Sequence, residues 1–72
     1  MEYIVVNIQD HPEIDTDVLI NRQTNGRTGV LLMLGGPGFV FISVNWPGAQ
    51  EQKVQVKNTT PMHPLTVTIA CT

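Results

Sequence analysis

The chain has 72 residues, of which 42% are hydrophobic, and its four basic and six acidic side chains give a formal net charge of -2 at pH 7. This length allows a single domain, residues 1–72, whose core supplies only about 3–5 kcal/mol of stability unless a disulfide, a metal or a partner subunit adds to it. The thin, mildly acidic charge disfavours duplex nucleic acid as a partner, because binding a duplex requires a basic stripe that neutralises several phosphates.

The residue content also limits how the domain can be stabilised and where it resides. Cys71 is the only cysteine, so neither an intramolecular disulfide nor a Cys-based metal site can form, and oligomerisation remains the candidate. The segment 1–8 has an acidic residue at position 2 and lacks the basic start and longer apolar run of a secretory signal. No segment approaches the roughly 20 apolar residues that span a bilayer. We therefore expect a cytoplasmic protein without membrane insertion, although a domain cut from a longer cell-surface chain would have the same features.

Short runs of alternating apolar and polar residues, separated by turn-forming residues, are typical of antiparallel strands. The second and third runs are separated by Gln23–Gly26, where Asn-Gly tolerates the positive φ of a hairpin turn, and Gly35–Gly38 forms a tight turn after the third run. No segment of ten or more residues shows an apolar period of 3.6, so we expect little or no helix. The predicted fold is an all-β antiparallel β-sandwich of six or seven short strands. The predicted strands are Tyr3–Ile8, Asp17–Arg22, Thr28–Leu34, Gly38–Asn45, Gln50–Lys57 and Leu65–Ala70.

The order of these glycines and apolar positions carries a family resemblance. Its parts are Gly26, Arg27-Thr28, the alternating Val30, Leu32 and Leu34, Gly38, the alternating Val40, Ile42 and Val44, Pro47-Gly48, and Val54 with Val56. This pattern resembles the PEGA domain over about residues 17–57, continuing to about residue 70. The resemblance implies a small Ig-like or transthyretin-like β-sandwich of bacterial and archaeal proteins, often at the cell surface or appended to other domains. It implies no catalytic residues, and therefore a binding or structural module.

Two segments, Val30–Leu34 and Phe39–Ile42, are apolar at consecutive positions, so both faces of the predicted hairpin are apolar. The family pattern points Val30, Leu32, Leu34, Val40, Ile42 and Val44 inward. Leu31, Met33, Phe39 and Phe41 then share one outer face, unless a one-residue change of register moves the two phenylalanines to the other side. Because a small sandwich buries one face of each sheet, this patch must meet another chain or be covered by a terminal segment of its own chain. A homodimer is the simplest partner, since two-fold symmetry is the commonest assembly.

Other residues offer weaker sites. His11 and His63 could bind a metal with the acidic residues of 10–17, and Asp15-Thr16-Asp17 has the alternating oxygen spacing of some Ca²⁺ loops. A full Ca²⁺ loop needs six or more oxygen ligands and a glycine at its turn, and no glycine lies in residues 1–24. A solvated acidic loop is therefore the favoured interpretation. Gly35–Gly38 lacks the lysine and helix of a phosphate-binding loop. Cys71 and His63 do not suggest a catalytic pair. The sequence thus predicts no catalytic residue, no metal and no cofactor.

We therefore predict a non-enzymatic module that contacts proteins and self-associates through an apolar sheet face. Trp46 is placed at the margin of that contact, or else caps one end of the sandwich. The alternative is a small β-barrel that binds single-stranded nucleic acid or an oligosaccharide by stacking on Phe39, Phe41 and Trp46.

Overall fold

The computed structural model describes residues 1–72 and contains seven strands and no helix. The strands are β1 Glu2–Ile8, β2 Asp17–Ile20, β3 Gln23–Arg27, β4 Leu32–Leu34, β5 Gly38–Val44, β6 Gln52–Val56 and β7 Leu65–Ile69. They form two sheets, sheet A in the order β4-β1-β7 and sheet B in the order β3-β2-β5-β6. The predicted all-β sandwich is confirmed. Within it, β1 and β7 pair in parallel, whereas the other neighbours pair antiparallel.

The core lies between the two sheets and follows from the period-two alternation of each strand. Every second residue of β1 is buried, from Glu2 to Ile8, while the residues between them are half-buried on the outer side. The buried apolar side chains of both sheets form one cluster: Ile4, Val6, Ile8, Val18, Ile20, Leu32, Leu34, Ile42, Val44, Val56, Val67 and Ile69. These residues are mostly β-branched, which suits a pleated surface packed on one side.

The hairpin turn predicted at Gln23–Gly26 is wrong, because the chain reverses earlier. Asn21 and Arg22 have positive φ angles of 50° and 68° and join β2 to β3, as a two-residue hairpin turn requires. The Asn21 side chain fixes this turn by accepting a hydrogen bond from the Phe41 N–H at 2.9 Å. Gly26, with a φ of 81°, instead lies within β3 near the irregularity in its pairing with β2.

The predicted single strand Thr28–Leu34 is also wrong, since the chain passes there from sheet B to sheet A. Thr28 lies at the crossing, where its hydroxyl donates to the Ile14 carbonyl at 2.9 Å and accepts from the Thr16 N–H at 3.1 Å. The Gly29 N–H then donates to the Val6 carbonyl of sheet A. Consequently β4 and β5 lie in different sheets, and residues 35–37 connect the two sheets where a hairpin turn had been predicted.

Hydrogen bonds between the sheets close the side of the sandwich where β6 and β7 lie. The Gln50 N–H donates to the Ala70 carbonyl at 2.8 Å, and the Gln52 side chain donates to the Thr68 carbonyl. Near the start of β1, the buried Glu2 carboxylate accepts hydrogen bonds from the hydroxyl and the backbone N–H of Thr59 at 2.6 and 2.9 Å. The outer faces of the two sheets therefore remain as the broad surfaces of the molecule.

Candidate interaction surfaces

The structure divides the predicted apolar patch between the two sheets. Met33 lies on β4 and Leu31 just before it, in sheet A, whereas Phe39 and Phe41 lie on β5 in sheet B. The prediction that the four side chains share one outer face is therefore wrong, because it depended on a β4–β5 hairpin that does not form. All four side chains are exposed, with exposed fractions of 43% for Leu31, 56% for Met33, 62% for Phe39 and 40% for Phe41.

Two further predicted positions differ in outcome. Val30 was expected to face the core, but it is exposed because the chain is crossing between the sheets at that point and has not yet joined β4. Trp46 follows β5 and is 43% exposed, at the end of the sandwich where its N–H bonds back to the Val44 carbonyl. Trp46 therefore lies at one end of the sandwich, as in the second of its two predicted positions, but its side chain is only partly enclosed.

The outer face of sheet A, which we call the uncharged face, has no Asp, Glu, Lys, Arg or His among its outward residues. In the register of the sheet, Tyr3 lies opposite Met33, Val5 opposite Thr66 and Asn7 opposite Thr68. Met33 and the threonines are exposed, while the three β1 side chains are half-buried. This face is a flat, mixed apolar and neutral polar surface, and Leu31 extends it beyond the first residue of β4.

The outer face of sheet B, which we call the aromatic face, carries cations beside its rings. The Arg22 guanidinium carbon lies 5.6 Å from the centre of the Phe41 ring, and the Lys53 amine nitrogen lies 5.1 Å from the centre of the Phe39 ring. Both separations are within the range of a cation–π interaction. Arg22 also forms an ion pair with Glu51 at 3.3 Å, so its charge is compensated within the chain.

The four basic side chains differ in whether an acid compensates them. Arg27 is held by Asp15 at 3.0 Å and by Asp17 at 2.9 Å, and hydrogen bonds to Asp15 first and then to Asp17 raise the pKa of its guanidinium. Lys53 and Lys57 form none of the ion pairs of the structure, since no carboxylate lies within 4.0 Å of either amine. The free positive charge of the molecule therefore lies on and directly after β6.

The acidic loop before β2 shows no metal-binding arrangement. His11 pairs with Glu13 at 3.2 Å. The pKa of the Glu13 carboxyl is lowered first by a hydrogen bond from the Glu13 backbone and then by the hydrogen bond with the His11 side chain. No group of three or more His, Cys, Asp or Glu side chains could hold a metal ion, and no cavity opens into the surface. His63 bonds through its backbone to Thr60, and Cys71 is half-buried beside Ala49.

The basic residues that accompany the two phenylalanines were not predicted from the sequence. Lys53 lies directly opposite Phe41 in the β5–β6 register, and Arg22 reaches the same ring from the β2–β3 turn. The alternation of residues 52–56 already indicated that Lys53 faces outward. Its partner ring could not be assigned without the register.

Comparison with protein-family models, with curated proteins and with solved structures finds no match to this chain. The chain contains no helix of the length and apolar character needed to cross a bilayer.

Proposed function

We propose that this chain is a non-enzymatic protein-interaction module that forms a homodimer through the uncharged face of sheet A. The observation that carries the proposal is that an exposed Met33, beside Leu31 and Tyr3, lies on a sheet face without a single charged side chain. The centres of protein interfaces are depleted in charge and enriched in methionine and tyrosine. The resemblance to the PEGA domain, which implies an accessory module without catalytic residues, is part of this proposal.

Two-fold symmetry suits this face because each copy would present the same surface to the other. On a charged face, such a contact brings like charges together at a cost of several kcal/mol, whereas an uncharged face meets its copy without repulsion. The aromatic face is less suited to self-association, since it carries Lys53, whose charge no carboxylate compensates, in both copies.

The size of the uncharged face sets the expected affinity. Three strands spaced about 4.8 Å apart, the longest of them seven residues, give a footprint on the order of 14 by 23 Å. This footprint, about 320 Å², is about two fifths of the roughly 800 Å² per partner that a standard interface buries. The dimer should therefore be reversible, with a dissociation constant in the micromolar range or weaker.

Sedimentation equilibrium over increasing protein concentration tests the proposal. The mean mass should rise from 7.9 kDa toward twice that value. Met33→Asp should restore the monomer, and Thr66→Asp on β7 should do the same from the other edge of the face. Phe41→Asp, a matched change on the opposite sheet, should leave dimerisation unaffected.

Thermal unfolding of each variant shows whether it is folded at the temperature of the experiment. A wild-type protein that stays monomeric at millimolar concentration contradicts the proposal. So does a dimer that dissociates with Phe41→Asp and persists with the two substitutions in sheet A.

The alternative of stacking a base or a sugar on Phe39, Phe41 and Trp46 has less support. The structure has two sheets in place of the closed barrel that this alternative assumed. Each phenylalanine ring already has a cation of its own chain against it, which a stacking ligand would have to displace. With two uncompensated lysines, the electrostatic attraction for a phosphate backbone is also small.

A further inference from the structure

The edge of sheet B formed by β6 presents main-chain groups that no other part of the chain uses. The Asn21 N–H donates to the Phe41 carbonyl at 2.7 Å, so the main-chain groups of Phe41 point toward β2. Because these directions alternate along a strand, Val40 and Ile42 point toward β6. In the β5–β6 register, Val40 pairs with Val54 and Ile42 with Gln52, so the main-chain groups of Val54 and Gln52 point toward β5. By the same alternation, the N–H and C=O groups of Lys53 and Gln55 point away from the sheet. No hydrogen bond outside the strand ladders involves these two residues.

The other three edges offer less. The free edge of β7 is covered where Gln52 and Gln50 donate to the carbonyls of Thr68 and Ala70. β4 has only three residues. β3 is irregular in its pairing with β2, and its only charged residue, Arg27, is bound to two carboxylates.

The uncompensated charges on the outer side of the β6 edge are positive, because Glu51, one residue before the strand, is paired with Arg22 at 3.3 Å. Lys53 and Gln55 are exposed on the outer side of the strand, and alternation places Lys57 on the same side, one residue beyond it. Neither lysine has an acidic partner within 4.0 Å. The spacing of four residues separates their Cα atoms by about 13 Å along an extended strand.

This charge pattern decides between possible occupants. If the β6 strands of two copies paired around a two-fold axis at Gln55, Lys53 of each copy would lie opposite Lys57 of the other. An axis at Val54 would instead place Lys57 opposite Glu51, but Glu51 is already paired with Arg22 of its own chain at 3.3 Å. Like charges directly opposite are destabilising, and lysines on edge strands are a common protection against self-pairing. A strand with carboxylates at the same spacing would instead pair favourably with both lysines.

We propose that β6 binds an extended acidic segment of a partner protein, which adds antiparallel to β6 as a fifth strand of sheet B. Its main chain continues the ladder at Lys53 and Gln55, and two carboxylates four residues apart lie opposite Lys53 and Lys57. The residue between them lies opposite Gln55, in line with Phe39 across the sheet, where a large apolar side chain extends the aromatic face. This surface is on the sheet opposite the proposed dimer contact, so the two proposals can fail separately.

A single-stranded nucleic acid is a poorer occupant of the same charges. Its backbone has no alternating N–H and C=O groups to continue the ladder, which is what distinguishes strand addition from attraction to charge alone. The phenylalanine rings on which its bases would stack have cations of the protein against them.

Fluorescence anisotropy with the labelled peptide TTETFTETT tests the proposal on the full chain. Binding should weaken by a factor between about two and thirty in Lys53→Gln/Lys57→Gln, because two cross-strand charge pairs are lost. The charge-reversed peptide TTKTFTKTT should bind less tightly than the original peptide, and should regain affinity with Lys53→Glu/Lys57→Glu. Met33→Asp, on the opposite sheet, should bind as the wild type does.

Main-chain pairing is tested by methylating the amide nitrogen of the central phenylalanine of the peptide. This change retains every charge and side chain but removes one ladder donor, and it should abolish binding. In the ¹H–¹⁵N NMR spectrum, the amides of Lys53 and Gln55 should shift most on addition of the unmodified peptide. Equal binding of the methylated peptide, or preferential binding of a thymidine oligonucleotide, overturns the proposal, as does the absence of peptide binding at millimolar concentration.

Discussion

Replacing Thr28 by valine removes the hydroxyl that holds the crossing between the sheets and leaves a side chain of nearly the same shape. Thr28 is buried, and its hydroxyl serves the Thr16 N–H and the Ile14 carbonyl at once. In the variant both backbone groups lose their partner, and a buried unsatisfied group costs about 1–3 kcal/mol. Since Ile14 is half-buried, water can reach part of this region, and we expect a loss of about 2–4 kcal/mol.

The loss is large for a domain of this size, whose core supplies only about 3–5 kcal/mol of stability. At about 4–8 °C per kcal/mol, Thr28→Val should lower the Tm by roughly 10–30 °C. Thr28→Ser keeps the hydroxyl and loses one methyl group, which costs about 1 kcal/mol. Thr24→Val, on the exposed strand β3, serves as the control and should leave the Tm nearly unchanged. A serine variant less stable than the valine variant, measured by calorimetry, would show that packing and not hydrogen bonding stabilises the crossing.

Two further predictions concern the start of β1 and the bulge in β3. Hydrogen bonds from the Thr59 hydroxyl and then its N–H lower the pKa of Glu2 below its ordinary value of 4.5, so this stabilisation is complete above that pH and is lost as pH falls through the lowered pKa. The Tm difference between wild type and Glu2→Gln should therefore be largest near pH 7 and shrink in scans toward pH 3; a difference independent of pH contradicts this role. Gly26→Ala should destabilise the protein by about 1–3 kcal/mol, because φ is 81° and the added Cβ would lie 2.2 Å from Leu32 Cδ2. Gly36→Ala, which meets no atom within 4 Å, should be neutral in the same urea titration, and equal losses for both variants would contradict the steric argument.

Alternation predicted the direction of side chains better than it predicted the pairing of strands. Met33 and Phe41 were expected to face outward and are exposed, and Leu32 and Ile42 were expected inside and are buried. This success has a local cause, since successive residues of a strand face opposite sides whichever neighbour the strand has. The same rule contains no information about which sheet a strand joins.

The errors arose where non-local contacts decide the structure. The residues of 28–34 alternate well enough to suggest one strand, but the Thr28 hydroxyl and the Gly29 N–H bond to different parts of the chain and divert it between the sheets. The Asn-Gly pair at 25–26 is a strong local turn signal, yet the hairpin turn forms at Asn21 and Arg22, which both have positive φ angles. The predicted interaction surface was wrong for the same reason. A hairpin of β4 and β5 would have placed Met33 and Phe41 on one face, whereas the two sheets place them on opposite faces of the molecule.

The two sheets expose apolar surface in physically different ways, and this difference supports separate roles for them. Phe39 and Phe41 are exposed beside Lys53 and Arg22, whose charges keep that face hydrated and oppose contact between identical copies. Met33 has no such neighbour on the uncharged face, so water contact there is relieved only by another apolar surface. A domain with unprotected apolar surface on both sheets would associate through both faces and form aggregates. In the two proposals, copies therefore pair through sheet A, while the β6 edge of sheet B stays available for an acidic strand.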